Sequence, residues 1–86
     1  MTLNDGYTNI HLNCGDENVA SFSRVIFNPF KVGMVIDLRV RNDYGSLDVE
    51  ENYGYLHKKK VKIISEEVFL TVTDNYVEIN YEVVFI

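Results

Sequence analysis

Three side chains of this 86-residue chain carry chemistry that a metal or a nucleophile would use: His11, Cys14 and His57. His11 and Cys14 stand three positions apart, which is half of a zinc spacing, but a structural zinc site takes four ligands and the second pair is missing. Cys14 with either histidine would make a nucleophile and base, yet no flanking pattern of a thiol enzyme surrounds it. The plainer reading is a surface histidine on a strand and a structural thiol. Gly6, Gly15, Gly33, Gly45 and Gly54 are scattered and form no phosphate-cradling loop. Paired carboxylates could serve acid/base work only in a cleft, and so small a core leaves little room for one. No metal or cofactor is expected, and an enzyme using Cys14 or the carboxylates is the most distant reading.

Charge offers more. Thirteen acidic residues against eight basic ones give a net charge of −5 and a pI near 4.8. Such a chain is repelled as a whole by nucleic acid and by anionic membrane, so neither is expected as a direct partner. The run Lys58-Lys59-Lys60 with Lys62 is read as a solvated turn whose lysines guard a sheet edge. Asp43, Asp48, Glu50 and Glu51 lie in or beside a turn with Tyr44, Tyr53 and Tyr55 close by. Carboxylates interleaved with tyrosine suit a partner with a basic surface, the acids steering and the rings supplying contact area. Asp43, Tyr44, Asp48, Glu50, Glu51 and Tyr53 are therefore the expected partner-binding residues. Glu66, Glu67, Asp74, Glu78 and Glu82 form a second acidic group.

These side chains need a scaffold. Residues 1–86 suffice for one domain, and 47% apolar content argues against disorder. One cysteine rules out an internal disulfide, so the chain reads as cytoplasmic. Its first residues show no leader, and no run approaches the length of a membrane span.

Alternation of Thr8, Ile10 and Leu12 with polar residues predicts a strand over Tyr7–Asn13. Residues 17–27 place Val19, Ala20, Phe22, Ile26 and Phe27 on one helical side, with Asp16 as N-cap and Asn28-Pro29 as stop, which predicts a short amphipathic helix. Their β-branched and aromatic content pulls the other way. Val32–Arg41 alternates cleanly, with Met34, Ile36, Leu38 and Val40 inward. A turn at Asn42–Gly45 would return the chain as a strand over Leu47–Leu56, setting Val40 against Leu47. Val61–Ile64 is a short strand broken by Ser65-Glu66-Glu67. Asp74-Asn75 joins a last hairpin, pairing Val72 with Val77 and Val68 with Tyr81. Continued outward, that register would set Glu67 against Glu82, so pairing should stop near Val68–Tyr81.

The expected fold is α+β, a mainly antiparallel sheet of five to six strands with one short helix over residues 17–27; an all-β fold is the alternative. In size, acidity and lack of motifs the chain resembles phage and mobile-element inhibitors of host defence, a resemblance of composition alone. It implies a small, non-enzymatic, acidic protein-binding module that blocks a basic, nucleic-acid-handling site on a larger protein. The alternative is a homo-oligomeric assembly protein, dimerising through a C-terminal edge strand.

Overall fold

The computed structural model describes residues 6–86. Met1–Asp5, on which the reading of a missing leader rests, lies outside the described residues. Five strands follow in chain order: β1 (Tyr7–Cys14), β2 (Glu17–Phe22), β3 (Val35–Asp37), β4 (Lys60–Thr71) and β5 (Tyr76–Phe85). A helix, α1 (Leu47–Tyr53), and a single 3-10 turn at Gly54–Leu56 come between β3 and β4. The strands form one sheet in the order β2-β1-β5-β4-β3. β1 and β5 run parallel, while the other neighbours are antiparallel, so the sheet is mixed where a mainly antiparallel one was expected. The cause is the joining of the first and last strands, which the long excursion through β2, β3, α1 and β4 permits.

Ile10 and Leu12 of β1 stand beside Ile79 and Tyr81 of β5, and Ile63 and Val61 of β4 stand beside Val83 and Phe85. All but Ile79 and Phe85 are fully buried or nearly so, and they make the core on one face of the sheet. Phe30, Met34, Val25, Ile36 and Leu38 close over that face. Within it Tyr81 receives a hydrogen bond from Asn28 Nδ2 at 2.8 Å and donates to the Phe30 carbonyl at 3.2 Å. Among the described residues the opposite face has no such cover.

Several expectations fail, and each failure has a physical cause. Residues 17–27 are not helical: Glu17–Phe22 is β2, and Gly15 at φ 60 with Asp16 makes the β1–β2 turn. The register slips between Leu12 and Asn13, leaving Val19 as an extra residue. Val19 and Ala20 are consequently both half-buried in succession, which reads in sequence as a helical stripe. Residues 47–56 are helix and 3-10 turn instead of strand. β4, not residues 47–56, takes the place beside β3, pairing Ile36 with Val61.

Alternation across Val32–Arg41 does hold, since Met34, Ile36, Leu38 and Val40 are half-buried and their odd-numbered neighbours exposed, but regular pairing covers only Val35–Asp37. Ser65-Glu66-Glu67 does not interrupt β4; a bulge at Ile64 absorbs the irregularity, and pairing runs on to Val61–Phe85. The last hairpin is shifted by two residues, with Thr71 opposite Tyr76 and Leu70 opposite Val77. A two-residue shift keeps every side chain on its face. It also moves Glu67 opposite Asn80 and Glu82 opposite Ser65, so the expected carboxylate clash is avoided. β5 lies in the middle of the sheet, and the C-terminal strand is no edge.

Candidate functional site

Asp43, Tyr44, Asp48, Glu50, Glu51 and Tyr53 do come together, in one loop-and-helix unit, and all six are exposed. Asn42 ties the unit down: its Oδ1 accepts from Ser46 N at 2.8 Å and its Nδ2 donates to Glu50 Oε1 at 3.1 Å. Two of its acids are therefore engaged, Glu50 by Asn42 and Asp43 by the Arg41 guanidinium at 3.0 Å. Arg39 lies on the same stretch, so the local negative field is partly cancelled.

The single-residue candidates resolve into structural roles. Cys14 is half-buried and packs against the core. His57 Nδ1 accepts from Val40 N at 3.1 Å, which pins the loop after β3. Among the described residues no three His, Cys, Asp or Glu side chains converge as metal ligands. Lys58, Lys59 and Lys60 are exposed around the start of β4, with Lys60 Nζ 3.6 Å from Asp37. Tyr55 donates to Glu17 Oε2 at 3.2 Å, and its hydroxyl is raised above 10.0 by desolvation and next by the Glu17 charge.

The uncovered face of the sheet is the larger polar surface. Strand registers line up its rows: Ser21, His11, Asn80 and Glu67 in one, and Asn18, Asn13, Glu82 and Ser65 in the next. Asn9, Glu78 and Phe69 form a third row, and Tyr7, Tyr76 and Thr71 a fourth. Tyr7 and Tyr76 stack at 5.3 Å, with the Arg24 guanidinium 4.7 Å from the Tyr7 ring centre. A shallow hollow of about 230 Å³ opens among Asn13, Ser65, Glu67, Asn80 and Glu82. Glu82 is held there by Gly15 N at 2.8 Å.

On this face Ser21 Oγ lies 2.9 Å from His11 Nδ1, and His11 Nε2 lies 3.9 Å from Glu78 Oε1, an order that resembles a hydrolase triad. With the Nδ1–H tautomer of His11 the proton order runs the other way. Asn18 Nδ2 donates to Asn13 Oδ1 and to the Ala20 carbonyl, so Asn18 Oδ1 faces Ser21 and takes the hydroxyl proton at 3.1 Å. Ser21 then accepts from His11 instead of giving it a proton, and a nucleophilic serine needs the reverse.

The signal that sequence reasoning missed is the segregation of charge along the chain. All eight Lys and Arg lie between Arg24 and Lys62, beside five acids, so that stretch is net +3. The remainder carries eight acids and no Lys or Arg, net −8. The fold turns this division into space: among charged residues other than histidine, β1, β2, β5 and β4 beyond Ile63 bear carboxylates alone, while the basic residues other than Lys31 and Arg24, which lies over Tyr7, gather around β3 and the start of β4. Compared with protein-family models, curated proteins and solved structures, the chain matches none, and its functional reading rests on this geometry.

Proposed function

We propose that the chain is a non-enzymatic, cytosolic binding module whose bare acidic sheet face docks on a basic surface of a larger protein, blocking a site that handles nucleic acid. The observation that carries the reading is the group of carboxylates in the middle of the exposed sheet face, set apart from Lys60 and Lys62 at the start of β4. Glu67, Glu78 and Glu82 stand on one face among amide and hydroxyl side chains, with no Lys or Arg on β1, β2 or β5 to neutralise them. A fixed array of carboxylates on paired strands is preorganised, so it steers a basic partner and loses little entropy on docking. The proton order at Ser21 and His11 supports binding over catalysis. The loop and helix acids Asp48 and Glu51 add to the negative charge that steers the partner.

The test is capture from the source cell's lysate with wild-type protein, E67K/E78K and D48K/E51K, each at low and high salt. Among the described residues the Glu67 and Glu78 side chains hold no backbone hydrogen bond, so their reversal leaves the fold intact. The expected result is one partner lost steeply with salt, lost with E67K/E78K, and weakened less by D48K/E51K. Addition of nucleic acid should compete for that partner. Equal capture by wild type and E67K/E78K would move the interface off the sheet face.

A further inference from the structure

β3 covers only the first part of β4, through Lys60–Lys62, with Gly33 and Met34 adding backbone bonds to Ile63. Beyond that point, among the described residues, no strand pairs with the outer edge of Ser65–Thr71. This stretch is the most apolar exposed edge of the sheet: Val68 is 57% exposed, Phe69 51%, Leu70 62% and the adjoining Val72 69%. Edges are ordinarily protected by lysine, proline, bulges or inward charge. Here the bulge sits back at Ile64, and Val68–Val72 has neither Lys nor Pro.

We infer that the free edge of β4 pairs antiparallel with the same edge of a second copy, about a two-fold axis at Phe69, to give a continuous ten-stranded sheet. The pattern of the strand names this occupant, because it is its own complement. Centred on Phe69, the register sets Phe69 against Phe69, Val68 against Leu70, Glu67 against Thr71 and Glu66 against Val72. At the three central pairs apolar meets apolar, and no carboxylate faces another. The two copies of Glu67 sit about 13 Å apart along the strand, beyond the screening length of ordinary buffer. Both bare acidic faces then lie on the same side of the joined sheet. A strip of this size makes a weak, concentration-dependent dimer.

The test uses the full chain. Light scattering over a concentration series should show monomer passing to dimer. Added salt should increase the dimer, since it screens two like-charged bodies, whereas it weakens the acidic face's hold on a basic partner. V68K/L70K sets lysine opposite lysine at both symmetric pairs and should leave a folded monomer that still captures that partner. Should this variant fail to fold, single cysteine substitutions in a C14S background decide the matter. In F69C the new thiol would lie opposite its own copy at about 5 Å between Cα atoms, within disulfide reach, while in T71C the two thiols would stand about 13 Å apart. Ready oxidation of F69C to a covalent dimer, with T71C remaining monomeric, is the expected result. A wild type that stays monomeric at every concentration and salt, or F69C that cross-links no better than T71C, would overturn the edge dimer and leave the acidic-face reading standing.

Discussion

Tyr81 concentrates more of the fold's polar chemistry than any other single residue. It is fully buried on the central strand, with its ring edge-on to Phe30 at 6.0 Å and its hydroxyl bonded to both Asn28 and the Phe30 carbonyl. Burial is the first cause that raises its hydroxyl above 10.0; Glu66, directly across on β4, adds to it, and the Asn28 donor opposes it. The neutral phenol is thus favoured by folding, so this contribution is fully present below about pH 10 and is lost as pH rises through the folded-state value. Tyr81→Phe keeps the ring but strands the Asn28 donor and the Phe30 carbonyl, at a cost of about 1–3 kcal/mol. For a domain of this size each kcal/mol shifts Tm by roughly 4–8 °C. Thermal melts at neutral pH should show that loss. Melts from pH 9 to 11 should show wild type losing stability more steeply than Tyr81→Phe. A parallel decline in both proteins would remove Tyr81 as the alkaline trigger.

Among the elements, α1 is the least integrated, because it buries no residue and is held by its loop. Ser46 occupies the N-cap without a side-chain bond, and Asn42, four residues upstream, holds the Ser46 backbone through both its N–H and its carbonyl. Asn42→Ala should therefore raise amide exchange across Leu47–Tyr53 while lowering the global Tm by only a few degrees. Asn42→Asp should be worse, since it loses the donor and faces a carboxylate with the Glu50 carboxylate. A global collapse on Asn42→Ala would mean that the helix is part of the cooperative core.

The same local bonds explain what could be read in advance. Strict alternation revealed β1 and the inward face of Met34–Val40, where burial alone decides. It could not reveal α1, whose lead-in loop is tied by an asparagine outside the helix, nor β2, where a bulge imitates a helical stripe. Parity revealed which face each residue of the last hairpin takes. It could not choose between registers two apart, and the one adopted keeps Glu67 from facing Glu82. The acidic face was likewise legible as charge blocks along the chain, but not as a surface, because only the β1–β5 pairing brings Asn9, His11 and Asn13 beside Glu78, Asn80 and Glu82.

At the scale of the whole molecule, everything depends on β5 as the seam between two halves. β1 with β2 lies on one side of it and β4 with β3 on the other. The parallel seam joins Tyr7 to Tyr76 and Asn13 to Glu82, contacts that span most of the chain and are costly to close in entropy. Neither half can hide its apolar face alone, since Ile10 and Leu12 need Ile79 and Tyr81, and Val61 and Ile63 need Val83 and Phe85. The last four residues, Val83–Ile86, are therefore structural: Val83 is fully buried, and Ile86 N bonds to the Lys60 carbonyl at 3.0 Å. Removing them uncovers Val61 and Ile63 and frees the start of β4, in a chain whose total margin is on the order of 5–10 kcal/mol. Deletion of Val83–Ile86 should leave a protein with no cooperative melt, while Val83→Ala, which keeps the backbone pairing, should melt cooperatively at a Tm lowered by roughly 10 °C or more. Circular dichroism melts of the two variants check this. A truncated protein that melts cooperatively near the wild-type Tm would show that the sheet closes without its last ladder.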